Sequence, residues 1–346
     1  MTTKLEVNGI RMVAVVALCV VALSVTACSR SGDKPITLNG AGASLPAPLY
    51  RKWFKAYNRA HPNVQVDYKS VGSTSGVKSF MERTVDFAAS DAAMKPADIA
   101  QVEGGVQLLP MTGAAVVLAY NIRDIPNLRL SRNAYSGIFN GTVTRWNDPL
   151  IAEANPHVKL PDQSIYVIVR ADGSGTTYVF TRHLSAISRQ FGESVGADNL
   201  PKWHFELRAA GNEGVTESIM TTPGAIGYVE YSYAYSDGVP MATLENKAGD
   251  YVAPAVDSAE AALSPAEVPP DMVVWVSDPP ATDAYPIVSY TWIVVYKGYD
   301  NREKLGALKG LLDYCLTDGQ KESAALGYVP LPAAVAAKAK AAVDAL

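Results

Sequence analysis

Four short segments concentrate small residues, hydroxyls and glycines: residues 40–46 (GAGASLP), 70–76 (SVGSTSG), 85–91 (VDFAASD) and 170–177 (RADGSGTT). Each reads as standing just before a helical pattern. The first backbone N–H groups of a helix lack intrahelical partners and carry positive partial charge, so hydroxyls and amides placed there coordinate an oxyanion without many cations. Any one segment alone is equally an ordinary helix cap. Four of them, one holding an arginine and an aspartate, point to an anion cradle. Arg170 falls at the end of an expected buried strand, where an unpaired guanidinium is costly. Asp172, two residues on, is the expected partner, fixing the guanidinium fork and leaving other donors for a ligand oxygen. A plain surface ion pair is the alternative. Asp91 bears on which anion is held: an ionised carboxylate only accepts hydrogen bonds, so it repels a fully ionised oxyanion and suits one that still carries a proton. Phosphate at neutral pH has that proton and sulfate does not. A cap or turn residue before Met94-Lys95-Pro96 is the competing reading of Asp91.

Other motif matches fail on context. Ser75-Gly76-Val77-Lys78 fits S-x-x-K of penicillin-binding enzymes, but no K-T-G accompanies it and Ser90-Asp91 is followed by Ala92. Neither glycine cluster ends in the G-K-[ST] of a P-loop, and GAGASL lacks the third glycine of a dinucleotide fingerprint. His61, His157, His183 and His204 are isolated, and Cys19, Cys28 and Cys315 are too scattered for a zinc site or a disulfide framework. No metal and no cofactor is expected. Lys plus Arg 30 against Asp plus Glu 34 gives a net charge of -4, which leaves no sequence-wide basic field for a nucleic acid. With 346 residues, 48% hydrophobic and 18% charged, the composition is globular and long enough for two packed lobes.

The elements that must position these segments alternate. From Ile36, ITLNG reads as a strand, residues 49–61 as a helix, VQVDYKSVG as a strand and residues 77–84 as a helix, the rhythm of an α/β protein with a largely parallel sheet. Residues 164–169 (SIYVIV) read as a buried strand, 170–175 as a turn, and the chain from Thr176 as a helix. Residues 116–120 (VVLAY) and 287–296 (IVSYTWIVVY) are taken as crossovers between two lobes, one of residues 36–115 plus 285–346 and the other of 116–284. The stretch 245–280 looks loop-heavy, and AAVAAKAKAAVDA near the C-terminus is a good helix former. Cys315 sits in an amphipathic LKGLLDYCL pattern and reads as a small, unpaired core residue. At the other end, Lys4 and Arg11 precede a short apolar run over 12–25, which reads as a signal peptide. It closes in Val25-Thr26-Ala27-Cys28, which resembles a bacterial lipobox. That implies a signal segment 1–27, a lipidated Cys28 and a tether over 28–35. Residues 1–27 carry Lys4, Arg11 and Glu6, a net +1, so the mature chain carries -5.

GAGASLPAPLYRKW, VGSTSGVK, TVDFAASDAAM, RADGSGTTYVF, PGAIGYVEYSYA and LGYVPLP, in this order over nearly the whole mature chain, resemble the PstS family of phosphate-binding proteins. The resemblance implies a two-lobed type II periplasmic-binding-protein fold with hinge crossovers and a ligand cleft between lobes. It implies a monomeric extracytoplasmic receptor, on the membrane only through its lipid, that hands inorganic phosphate to the permease of an ABC transporter and turns nothing over. Carried over position by position, Ser44, the Leu45 amide, Ser73 and Asp91 would bind phosphate from one lobe. Arg170, Ser174 and the Gly175 and Thr176 amides would bind it from the other, with Asp172 orienting Arg170. Asn212-Glu213-Gly214 and residues 224–231 also resemble the family and are assigned a structural role. The family often has Thr then Phe where this chain has Ser44 then Leu45, which keeps the hydroxyl and the amide. Two other readings stand beside this one: a phosphomonoester hydrolase with Ser44 or Ser73 as nucleophile and Lys78, Lys95 or His183 as the nearest bases in sequence, and a receptor for another tetrahedral oxyanion.

Overall fold

The structure, a computed structural model, describes residues 35–264 and 268–346. The signal segment, Cys28 and the tether before Pro35 lie outside the described residues. The first units are β1 (Ile36–Gly42), α1 (Ala47–Ala60), β2 (Val64–Ser70), α2 (Ser73–Met81) and β3 (Phe87–Ser90). In α1, Pro46 and Pro48 open the helix where a missing N–H costs nothing, and Leu49, Tyr50, Trp53, Phe54 and Tyr57 make one buried face. Each such side chain contributes about 2 kcal/mol of burial. The helix expected at 77–84 starts earlier, at Ser73. Residues 85–91 are not a loop before a helix, because they contain the fully buried strand β3. A run of four buried residues has no periodicity by which helix and strand can be told apart.

The later elements used below are β4 (Val106–Tyr120), β6 (Tyr166–Arg170), α3 (Gly175–Ile187), β7 (Arg208–Ala209), α4 (Gly211–Thr221), β8 (Ala225–Glu230), β11 (Val288–Tyr296), α5 (Arg302–Leu316) and α6 (Ala333–Asp344), with the short β5 (Arg129–Leu130), β9 (Thr243–Glu245) and β10 (Tyr251–Val252) forming a separate small sheet. The main sheet runs β2-β1-β3-β11-β4-β8-β6-β7. Its flanks are parallel: β1 pairs with β2 and β3, and β6 with β7 and β8. Its centre departs from expectation, since β11 is antiparallel to β3 and β4, and β4 is antiparallel to β8. Continuous apolar runs buried on both faces look the same in either direction, so pattern alone does not give the orientation. The stretch 245–280 contains a helix, Val256–Leu263, among its loops, and the C-terminal helix forms as α6. Cys315 is buried and free on α5.

Strand β4 changes partner midway. Its residues through Ala115 pair with β11, those from Val116 pair with β8, and Val116 N donates to Ile287 O at 2.9 Å where the change occurs. On the β1 side, α2 lies so close to the sheet that a Cβ on Gly76 would sit 2.4 Å from Gly42 Cα and 2.6 Å from Ala41 O. Gly76→Ala therefore opposes two effects, a gain in helix propensity of up to about 1 kcal/mol and a backbone clash. The clash is expected to win, lowering stability by roughly 2 kcal/mol in a urea unfolding titration; a stabilised variant would show that α2 can move off the sheet.

Candidate functional site

Strand ends and helix starts converge at one edge. Gly42 of β1 registers with Ala89 of parallel β3, so the turn carrying Ser44 and the residue after β3, Asp91, leave the sheet side by side. Ser73 opens α2 behind β2. Arg170 ends β6, and Ser174 caps α3, its hydroxyl accepting from Thr177 N at 3.1 Å. Carboxyl ends of parallel strands followed by helix N-termini are where α/β proteins place their ligands.

The structure brings every site residue predicted from Ser44 to Thr176 into this region, nearly all of them buried. Ser73 Oγ accepts from Asp91 N at 3.3 Å and from Gly175 N at 3.1 Å. Ser44 Oγ accepts from Asn212 N at 3.1 Å and Asn212 Nδ2 at 2.9 Å. Thr176 Oγ1 accepts from Arg170 Nη1 at 3.4 Å and Asn212 Nδ2 at 3.3 Å. A hydroxyl has two acceptor sites and one proton, so an oxygen that receives two N–H bonds has only its proton left to offer. All three therefore present themselves as donors. Gly175 N is already committed to Ser73, whereas Thr176 N belongs to the first turn of α3, without an intrahelical acceptor. The segments meet closely: Thr74 N donates to Gly173 O at 3.0 Å, and a Cβ on Gly175 would lie 2.5 Å from Ser73 Oγ. Leu45 is buried and its carbonyl accepts from Tyr328 OH at 2.8 Å.

Arg170 pairs with Asp172 as expected, but inside the protein. The guanidinium is 1% exposed; Nε donates to Asp172 Oδ1 at 2.8 Å and Nη2 to Oδ2 at 2.5 Å. Together with the bond to Thr176 this leaves one N–H on each Nη. Asp172 also accepts from Gly211 N at 3.0 Å. Burial pushes the Asp172 carboxyl up, and the Arg170 hydrogen bonds and charge outweigh it, holding it below the usual carboxylate range. Asp91 is the reverse case. Burial raises it to about 7, with the Thr291 hydrogen bond and the Arg170 charge holding it back. Thr291 Oγ1 donates to Asp91 Oδ1 at 2.8 Å, which leaves Oδ2 as the oxygen without a partner among the described residues.

Thr291 was not singled out from the sequence, and Asn212 and Glu230, the latter within residues 224–231, received only a structural role there. Glu230 is fully buried behind the cradle; its N donates to Asn212 Oδ1 at 2.9 Å, Ser232 Oγ donates to its Oε2, and burial raises its carboxyl to about 8. Gly211, at φ +72°, precedes Asn212. A glycine followed by a polar residue at a helix start was the one local signal. Of the bases nearest in sequence, Lys78 pairs with Glu82 at the surface, His183 is buried with Nε2 at 3.0 Å from Tyr135 OH, and Lys95 lines the same cavity as Ser73.

A family model described as the PBP superfamily domain matches residues 29–318. Among solved structures, a high affinity periplasmic phosphate-binding protein, PfluDING, bound with phosphate, aligns with a TM-score of 0.72 at 23% identity over 88% of this chain and 93% of that one. A phosphate-binding protein from Stenotrophomonas maltophilia aligns with a TM-score of 0.70 at 21% identity over the same shares, 88% and 93%. The fold is thus that of the type II periplasmic binding proteins. The phosphate-binding protein PstS of Pasteurella multocida is 36% identical over 309 residues, 88% of this chain and 89% of that one. PstS of Methanocaldococcus jannaschii is 35% identical over an alignment covering 93% of this chain and 92% of that one. The chain belongs to the PstS family of phosphate-binding proteins.

The raised carboxyls make a stability prediction. Asp91 titrates near 3.8 in the unfolded chain and about 7 in the folded one, so between these values the folded protein holds the extra proton and stability falls as pH rises. Glu230 acts in the same sense, with about 8 against 4.5. The ligand-free protein is expected to lose stability from pH 5 to pH 8, and Asp91→Asn to recover up to about 4 kcal/mol of it at pH 8. Urea midpoints at the two pH values check this; a flat profile would mean that Asp91 is ionised throughout.

Proposed function

We propose that this protein is an extracytoplasmic receptor that captures inorganic phosphate by hydrogen bonds between two lobes and delivers it to the permease of an ABC transporter. One observation carries the reading: Ser44, Ser73 and Thr176, each with its acceptor sites filled by N–H groups, share a buried site with the unpartnered oxygen of Asp91. Donors plus one acceptor suit a tetrahedral anion that still carries a proton. Arg170, Ser174 and the amides of Leu45 and Thr176 complete the donor set, and the Gly175 amide, expected to bind as well, is held by Ser73 Oγ and acts through it. Asp91 accepts a hydrogen bond from the ligand's own O–H, and Asp172 holds Arg170 in place. The lobes are residues 36–115 with 285–346, and 116–284, hinged where Val116 meets Ile287. The protein acts as a monomer, held to the membrane by a lipid on Cys28. Catalysis has no part in the reading: the N–H bonds that Ser44 and Ser73 accept leave each hydroxyl proton to be donated to the ligand, so a chromogenic phosphate ester is expected to stay intact.

Calorimetric titration of the protein, unfolded and refolded to strip endogenous ligand, is expected to give one-to-one phosphate binding and no sulfate heat at pH 8. Below pH 7 a protonated Asp91 becomes a donor, so sulfate binding is expected to emerge as pH falls. Asp91→Asn is expected to admit sulfate at both pH values, and continued rejection by that variant would remove Asp91 from the selectivity filter. For the anchor, Cys28→Ser is expected to move the protein from the membrane fraction to the soluble one; membrane retention would overturn lipidation at Cys28.

A further inference from the structure

Asn212 bonds to two of the residues expected to bind the ligand, Ser44 and Thr176. It is fully buried as the second residue of α4, and the helix start is pinned in place because Gly211 N donates to Asp172, the partner of Arg170. Its orientation is determined by Glu230 N, which can only donate and therefore must face Oδ1, at 2.9 Å. The two Nδ2 hydrogens then point to Ser44 Oγ at 2.9 Å and Thr176 Oγ1 at 3.3 Å, while its own backbone N–H takes the second acceptor site of Ser44 at 3.1 Å. Ser44 lies 168 positions away in the chain.

We infer that Asn212 is a positioning residue that fixes the polarity of the cradle, turning the hydroxyls of Ser44 and Thr176 into obligate donors before any anion arrives. A free hydroxyl rotates and can accept as readily as donate, so the site would have to order two rotors on binding and would tolerate more highly protonated ligands. With Asn212 filling both acceptor sites of Ser44 and, together with Arg170, those of Thr176, both protons have one direction left. Asn212 touches no ligand in this scheme and acts through the two hydroxyls. The inference rests on the phosphate-receptor reading.

The test is phosphate titration of the purified full-length protein in detergent at pH 7.5, with melting of each ligand-free variant as a check on folding. Two hydrogen bonds to a charged ligand set the scale, so Asn212→Ala is expected to weaken phosphate binding about 100-fold. In a chain already carrying Ser44→Ala the same substitution is expected to cost only about tenfold, because one of its two routes is gone. A residue that merely holds α4 in place would cost the same in both backgrounds. Asn212→Asp keeps the acceptor for Glu230 N and removes the Nδ2 donor, so it decides the question should the alanine variant not fold; a loss of at least the same size is expected, again smaller beside Ser44→Ala. Phosphate binding within threefold of the unaltered protein in either folded variant overturns the inference, as do equal losses in both backgrounds. Absence of phosphate heat from the unaltered protein would instead remove the receptor reading on which it rests.

Discussion

A guanidinium buried to 1% exposure is the constraint from which the site's arrangement follows. Such a charge is tolerable only with its N–H groups satisfied and a counter-charge in contact. Asp172 supplies both, through two bonds, and is itself held by Gly211 N. That requirement places the turn after β6 against the start of α4. It thereby sets where α3 begins and where Asn212 points. The two N–H groups left on Arg170 face the same region as the first turn of α3, so one buried cation and one helix terminus act on the same space.

Neutral dipoles do most of the remaining work. The chain is acidic overall, at a net charge of -4, and the pair Arg170–Asp172 is neutral as a unit. Attraction for an anion then depends on donors fixed in direction, whose reorientation cost was met during folding. The hydroxyls achieve this because each is flanked by N–H groups. Asp91 makes the opposite contribution on the proposed reading: ionised, it is the acceptor among donors and disfavours a fully ionised ligand, and its desolvation, which raises it to about 7, confines that role to pH above this value.

How much of this was legible in the sequence depends on distance along the chain. The glycine and hydroxyl clusters and the pair Arg170–Asp172 are local, since a cap or an i,i+2 ion pair is written within a few residues. Strand β3 was misread because VDFAASD has the composition of a pre-helical loop while its four central residues are buried on both faces. The antiparallel centre of the sheet was not legible, since β4 and β11 are apolar on both faces. Thr291 reaches Asp91 across 200 positions and Asn212 reaches Ser44 across 168, and neither carries a local mark of such a partner. The partner change of β4 falls at Val116, within one apolar run long enough to pair on both sides.

At the cradle the hydrogen bonds between the two proposed lobes are neutral, while away from it Trp292 with Met272, Ser232 with Tyr328 and Lys338 with Val268 join them as well. Ser73 with Gly175, Thr74 with Gly173, Asn199 with Thr74, Asn212 with Ser44 and Tyr233 OH with Ser44 O are all neutral hydrogen bonds. Each contributes about 1 kcal/mol net. Closure must also confine Asp91 beside other buried groups at a cost to its ionised form. On the two-lobe reading, neutral bonds at the cradle let an anion that binds both halves supply the differential affinity that favours the closed form. A site built of strong cross-lobe ion pairs would close without its ligand and lose that dependence.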